Sequence, residues 1–223
     1  GGVVARDELC KALLVAGLTV TRVCPRWPLP ADTISAILAM IIVVQAALVI
    51  WLSYHFTLGW DGLLNWEIKA RIAYLNNGVI DSAYLRDPTR AFSHPNYPLL
   101  VPLTEAWFYG WIGRPDQQII KLLFPLYYLA AMGLLFAGGK LLGARSWIQL
   151  IPGLLVATVP IAVFHEGSST SGYADFPLGV YYLAAVVYLL AYWQEGNGRT
   201  LLTVGILASL LPWTKAEGTV LWT

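Results

Sequence analysis

The sequence predicts an all-α polytopic membrane protein, and three observations predict it. Of the 223 residues, 57% are hydrophobic. Only 12% are charged, against about a quarter in a soluble domain, and the mean hydropathy is +0.62. The charges are also unevenly placed. Long apolar stretches carry almost none, while residues 59–97 collect Asp61, Glu67, Lys69, Arg71, Asp81, Arg86, Asp87 and Arg90. That loop lies between a membrane-length apolar run and the Pro-rich turn Ser93-His94-Pro95-Asn96-Tyr97-Pro98. Ten Trp and twelve Tyr suit interfacial belts, where an amphipathic ring sits at headgroup level. A net charge of +1 argues against a nucleic-acid binder, which needs a basic face.

Residues 1–30 read as a cytoplasmic N-terminal segment. The apolar residues 12–20 are too short to span alone and fit the end of an earlier helix. Cys10 and Cys24 read as free thiols on the cytoplasmic side rather than a disulfide. The chain starts without Met, stops within an apolar pattern and has no basic n-region with a cleavage site. It therefore reads as the front part of a longer protein, without a signal peptide.

Residues 31–223 read as one transmembrane module, incomplete at its C-terminus. Residues 34–58 contain no Lys, Arg, Asp or Glu. At ~1.5 Å per residue that run crosses a ~30 Å hydrocarbon core. Further spans are expected at 117–139, 147–164, 173–193 and 200–214. Residues 98–112 are apolar but shorter and contain Pro102 and Glu105, which suits a re-entrant or interfacial helix. The positive-inside rule agrees. With 98–112 not crossing, Arg6, Lys11, Arg22, Arg26, Lys140, Arg145 and Arg199 fall inside, and 59–97, 165–175 and 215–217 fall outside. Gly133, Gly138 and Gly139 are expected to let helices approach closely.

The outer clusters carry the candidate chemistry. Residues 60–76 read as an amphipathic helix on the membrane, burying Trp60, Leu63, Leu64, Ile68 and Ile72. Asp61, Asn65 and Lys69 share a face at i, i+4, i+8. Glu67 and Arg71 read as an ordinary surface pair. Asp61 is either a helix-start acid favoured by the macrodipole or a carboxylate over a membrane-facing cavity, suited to general-base work. His94 either caps and packs, or binds a phosphate, donates a proton or ligates a metal.

Asp175 opens a later span, where a costly carboxylate defaults to functional pairing. It forms, with His165 and Glu166, the candidate set for a divalent metal ion, in a spacing that matches no strong motif. The Gly/Ser run beside it reads as a flexible connection. Lys215 and Glu217 end the last span and suit either an anionic headgroup or snorkelling anchors. One pocket is expected between the first loop and the 165–175 loop, open laterally. No Gly-rich phosphate loop follows a strand.

Together these residues resemble the GT-C superfamily, within it the branch of protein O-mannosyltransferases and lipid A aminoarabinose transferases. The likeness rests on a long first span with Asp61 just outside it, and on juxtamembrane helices. It rests also on the His94-Pro95-Asn96-Tyr97-Pro98 turn before an apolar helix, on Tyr173-Ala174-Asp175-Phe176-Pro177, and on Thr214-Lys215-Ala216-Glu217-Gly218. It covers about residues 34–223.

The resemblance implies a GT-C-like helix bundle in the cell envelope, multi-pass, with its site on the extracytoplasmic face. A sugar would pass from a polyprenyl-phosphate donor in the lipid to a glycan, lipid or protein acceptor. Asp61 would deprotonate the acceptor hydroxyl for a direct, inverting displacement. Lys69, His94, Tyr97, Lys215 and Glu217 would bind the lipid phosphate and substrate. Asp175 would be the second-loop acid that orients substrate or binds metal, and metal dependence varies within this superfamily. The chain departs from the pattern where Gly62 follows Asp61 in place of Glu, and where the turn lacks a plain Pro-Pro with a preceding Lys.

Two other classes compete. A secondary transporter or flippase needs ionisable or broken helices at the midplane, and only Glu105 and Lys121, near predicted ends, approach this. A non-catalytic membrane assembly subunit would tolerate Asn at both Asp61 and Asp175.

Overall fold

A computed structural model of the chain describes residues 31–163 and 168–222. Arg6, Lys11, Arg22, Arg26, Cys10, Cys24, His165 and Glu166 lie outside the described residues, as does the apolar stretch 12–20. Every regular element among the described residues is helical.

Helix α1, Ala31–His55, is the uncharged run. A π-helical turn, Gly62–Glu67, leads into α2, Ile68–Leu75. Short α3, Ser82–Arg86, and a 3₁₀ turn, Pro88–Ser93, carry the chain to α4, Leu100–Ile112. Then come α5, Gln117–Ile120, and α6, Leu123–Leu141, with Asp116 capping Gln118 N and Ile119 N at 3.0 and 3.2 Å. Helix α7, Ser146–Thr158, stops before Pro160, which cannot follow an α-helical residue comfortably. After α8, Pro160–Val163, come α9, Asp175–Glu195, α10, Gly198–Thr214, and α11, Gly218–Trp222.

Among the described residues three helical stretches are long and apolar enough to cross a membrane: Thr33–His55, Gln117–Leu141 and Asp175–Glu195. The other two expected spans are shorter. Helix α7 has 13 residues and α10 has 17, which reach ~20 and ~26 Å at ~1.5 Å per residue. The Val159-Pro160 break is what cuts the first of them short.

The helices lie side by side in the order α1, α7, α6, α9, α10, with α2 and α4 packed together near one end. Val49, Leu52, Tyr128, Ala131, Met132, Ala157, Val163 and Val180 form the core between α1, α6, α7, α8 and α9. Gly138 and Gly139 do allow close approach. A Cβ on Gly139 would sit 3.0 Å from Gln149 Cα, and one on Gly138 3.4 Å from a Val187 methyl. Gly133 faces open space.

Lys121 fixes where α1 ends. It is almost fully buried, and its Nζ donates to the carbonyls of Tyr54 and Phe56 at 3.2 and 2.6 Å. Gln118 Nε2 also donates to the Tyr54 carbonyl. A cation on the orphan carbonyls of a helix C-terminus is favoured by both hydrogen bonding and the macrodipole.

Candidate functional site

The first loop meets the segment before α9 through close backbone contacts, with the Tyr173 ring and Leu58 packed beside them. Gly59 N donates to Ser171 O at 2.8 Å. A Cβ on Gly62 would lie 2.3 Å from that same carbonyl, so any side chain there drives the two strands of chain apart. This is a physical reason for Gly after Asp61. Gly172, at φ +78, completes the contact, because a Cβ there would meet Leu58 at 2.5 Å.

The Ser/Thr run is not the flexible connection its composition suggests. Ser168 and Ser169 are fully buried. Ser169 Oγ donates to Ala162 O at 2.9 Å, and Thr170 Oγ1 to Val163 O at 2.6 Å. Small hydroxyl side chains satisfy the orphan carbonyls of α8 and lock the turn.

Two charged groups stand at this end. In the first, Lys215 Nζ donates to Asp175 Oδ1 at 2.6 Å and lies 3.4 Å from Glu217 Oε1. Burial opposes the Lys215 charge, but the Asp175 hydrogen bond and the two carboxylates hold its pKa above the ordinary lysine value. Lys215 is thus an ion-pair partner rather than a snorkelling anchor. Asp175 lines a cavity of about 320 Å³ whose other walls, Ala131, Leu135, Val156, Ala162, Phe176, Gly179, Val180 and Leu183, are apolar or lack a side chain. The cavity therefore lies between α6, α7, α8 and α9, and Asp61 does not line it.

The second group surrounds Lys69, which is fully buried. Its Nζ donates to Asn65 Oδ1 and to His94 O, both at 2.8 Å. The ammonium lies 5.5 Å from the Trp66 ring centre and 5.9 Å from that of Tyr97, within cation–π range. No carboxylate lies within ion-pair distance of it among the described residues, and burial lowers its pKa to about 8. His94 takes the left-handed conformation, φ 43, which turns its carbonyl onto Lys69. Its ring is exposed and stacks on Tyr97 at 4.7 Å. His94 thus serves Lys69 through its backbone.

Of the expected face Asp61, Asn65, Lys69, only the last two meet. Asp61 is half-buried and makes no side-chain hydrogen bond or ion pair with a described residue. Within the protein, the buried side of 60–76 is a different one from the side expected against the membrane. Trp60 is exposed and Leu63, Leu64, Ile68 and Ile72 are only half-buried, while Asn65, Trp66, Glu67, Lys69, Ala70 and Ala73 are buried. The chain packs this stretch on α4, and its π-helical first turn changes the phase of the helix face.

Sequence reasoning missed the buried acids Glu67 and Glu105. Glu67 is not a surface residue: it is 3% exposed. Its Oε1 accepts from Arg71 Nη2 at 3.0 Å and from the Tyr109 hydroxyl at 2.8 Å. Glu105, in mid-α4, is fully buried, and neither of its carboxyl oxygens has a hydrogen-bond partner among the described residues. Burial first, and the Glu67 charge second, hold its pKa well above the usual carboxylate range. The available signal was the single acid in an otherwise apolar stretch, four residues before Tyr109.

Among the described residues no group of three or more His, Cys, Asp and Glu is arranged to hold a metal ion. Asp175 is committed to Lys215, and the other two proposed ligands, His165 and Glu166, lie outside the described residues. Comparison with family models, curated proteins and solved structures returns no match.

Proposed function

We propose that this chain forms part of an integral-membrane glycosyltransferase of the GT-C type, which moves a sugar from a polyprenyl-phosphate donor to an acceptor at the loop-rich end of the bundle. The observation that supports it most is the convergence of distant stretches. The loop bearing Asp61 is pinned at Gly59 to Ser171, four residues before Asp175, which is itself bonded to Lys215. A carboxylate without a side-chain partner among the described residues, a buried ammonium and an ion-paired lysine thus come to one end of the molecule.

Asp61 takes the proton of the acceptor hydroxyl, and that oxygen attacks the anomeric carbon from the face opposite the leaving lipid phosphate. The carbon–phosphate-oxygen bond breaks as the new glycosidic bond forms, so configuration inverts. The phosphate leaves as an anion, and Lys69 and Lys215 are the cations suited to hold it where water is scarce. Asp175 keeps Lys215 in place until the phosphate arrives.

The test is transfer of radiolabelled sugar from a panel of polyprenyl-phosphate donors, in membranes holding the full-length protein. Loss of transfer in Asp61→Asn, with the protein still present, supports both the activity and the base. Transfer unchanged by that substitution removes Asp61 from the role. A second reading, a proton-coupled transporter, draws on Glu105, a buried carboxyl without a partner. Substrate flux with no sugar transfer from any donor would favour it.

A further inference from the structure

The opposite end of the bundle carries a second feature, independent of the glycosyltransferase reading. Helices α6 and α9 run parallel: Ala131 and Leu135 face Phe176 and Val180 near one end, and Leu141 faces Gln194 at the other. Toward their C-termini a groove of about 520 Å³ opens between them. Leu134, Ala137, Val187, Tyr188 and Ala191 give it an apolar wall. Its end is tied shut by Gln194 Nε2, which donates to Leu141 O at 2.7 Å. The groove is thus preformed, and both helices that flank it are long and apolar enough to cross a membrane.

Lys140 stands in the last turn of α6 and lines this groove. Its side chain has no hydrogen bond or ion pair with any described residue, and the same holds for Arg145 and Arg199 in the neighbouring turns. Glu195 is the one carboxylate among the described residues of 140–199 at this end. A lysine without a counter-charge, at headgroup depth above an apolar groove, is matched by a lipid phosphate above an acyl chain.

We infer that this groove seats one anionic phospholipid, its phosphate on Lys140 and one acyl chain between α6 and α9. The occupant is a bilayer lipid rather than a protein helix, because an apolar wall between two membrane-length helices ends at Lys140, a cation without a counter-charge among the described residues.

The test is native mass spectrometry of the full chain released from nanodiscs made of equal parts phosphatidylcholine and phosphatidylglycerol. Wild type is expected to retain phosphatidylglycerol in preference. Lys140→Gln is expected to cut that retention about fivefold, the effect of one lysine at an anionic surface, and Lys140→Arg to keep it. Ala191→Trp fills the groove and is expected to displace the lipid with Lys140 intact. Arg114→Gln, outside the groove, is expected to change nothing. Lys140 is exposed, so its substitution leaves the fold in place even if Ala191→Trp does not fold. Equal retention of the two lipids overturns the seat, as does retention indifferent to Lys140→Gln. Loss on Lys140→Gln with none in a folded Ala191→Trp reduces it to general surface charge and also overturns it.

Discussion

The two ends of the bundle treat charge in opposite ways. At the loop-rich end most cations are ion-paired: Lys215 to Asp175 and Glu217, Arg71 to the buried Glu67, and, at the surface, Arg90 to Asp87 and Arg114 to Asp116. Lys69 is fully buried there, held by an amide and a backbone carbonyl. At the short-loop end Lys140, Arg145 and Arg199 have no ion-pair partner among the described residues. Paired and buried charge demands exact surroundings, because an ion stripped of water is costly unless its partners are in place. Unpaired surface charge demands nothing of the fold and suits an anionic lipid surface. Under the proposed function, the first end would position the chemistry and the second would meet the lipid headgroups.

That contrast can be broken or sharpened by substitution. The largest effect is expected at Asp61. Asp61→Asn should lower sugar transfer by a factor of about 10²–10⁴, the range for losing a general base, while Arg145→Gln leaves the rate within experimental error.

Next is Gly62→Val, which puts side-chain atoms on the Ser171 carbonyl. It should cost about 1–3 kcal/mol of stability, the range for overpacking, and remove transfer. Thermal unfolding in detergent beside the transfer assay checks it. Gly143→Ala at the other end, where a Cβ meets nothing within 4 Å, should cost only the strain of its positive φ, about 1 kcal/mol.

A smaller effect comes from pH. Lys69 is protonated below a pKa of about 8 and neutral above it. If its charge holds the lipid phosphate, transfer should fall as pH rises through about 8, and Lys69→Arg should move that limb to higher pH. The linkage sign is separate: with the folded pKa below the unfolded value, stability itself rises between about 8 and 10.5. Falling activity with rising stability over one window distinguishes a functional role from a structural one.

The smallest effect is expected at Glu105, whose raised folded pKa makes stability greatest below the unfolded value near 4.5 and lets it decline as pH rises toward the folded pKa. Glu105→Gln should flatten that decline in melting temperature measured from mildly acidic to neutral pH. A decline identical to wild type would remove Glu105 as its source.

Much of the long-helix framework was legible. The uncharged run gave α1, Asp175 opens α9 as read, and the short helix at 98–112 followed from its length and Pro102. Helix faces in the first loop were not legible. A 3.6-residue period pointed Leu63, Leu64 and Ile72 toward lipid and left Glu67 at the surface, whereas a π-helical turn and the packing of α2 on α4 bury Glu67 and Lys69 instead. The period rule assumes a regular helix whose only apolar neighbour is the bilayer, and neither condition holds there. The role of Gly62 depends on a carbonyl 109 positions later, which no local pattern encodes. His94 was read for its ring, but its carbonyl makes the bond. The pairing of Lys215 with Asp175 also needed the fold, since 40 residues separate them.

The most direct test of the two-ended account is sidedness. Asn96→Cys and Arg145→Cys, each in a background with Cys10 and Cys24 changed to Ser, would be treated with a membrane-impermeant maleimide in intact cells and again after permeabilisation. The account predicts that Cys at 96 labels in intact cells and Cys at 145 only after permeabilisation. Labelling of both positions from the same side would contradict it.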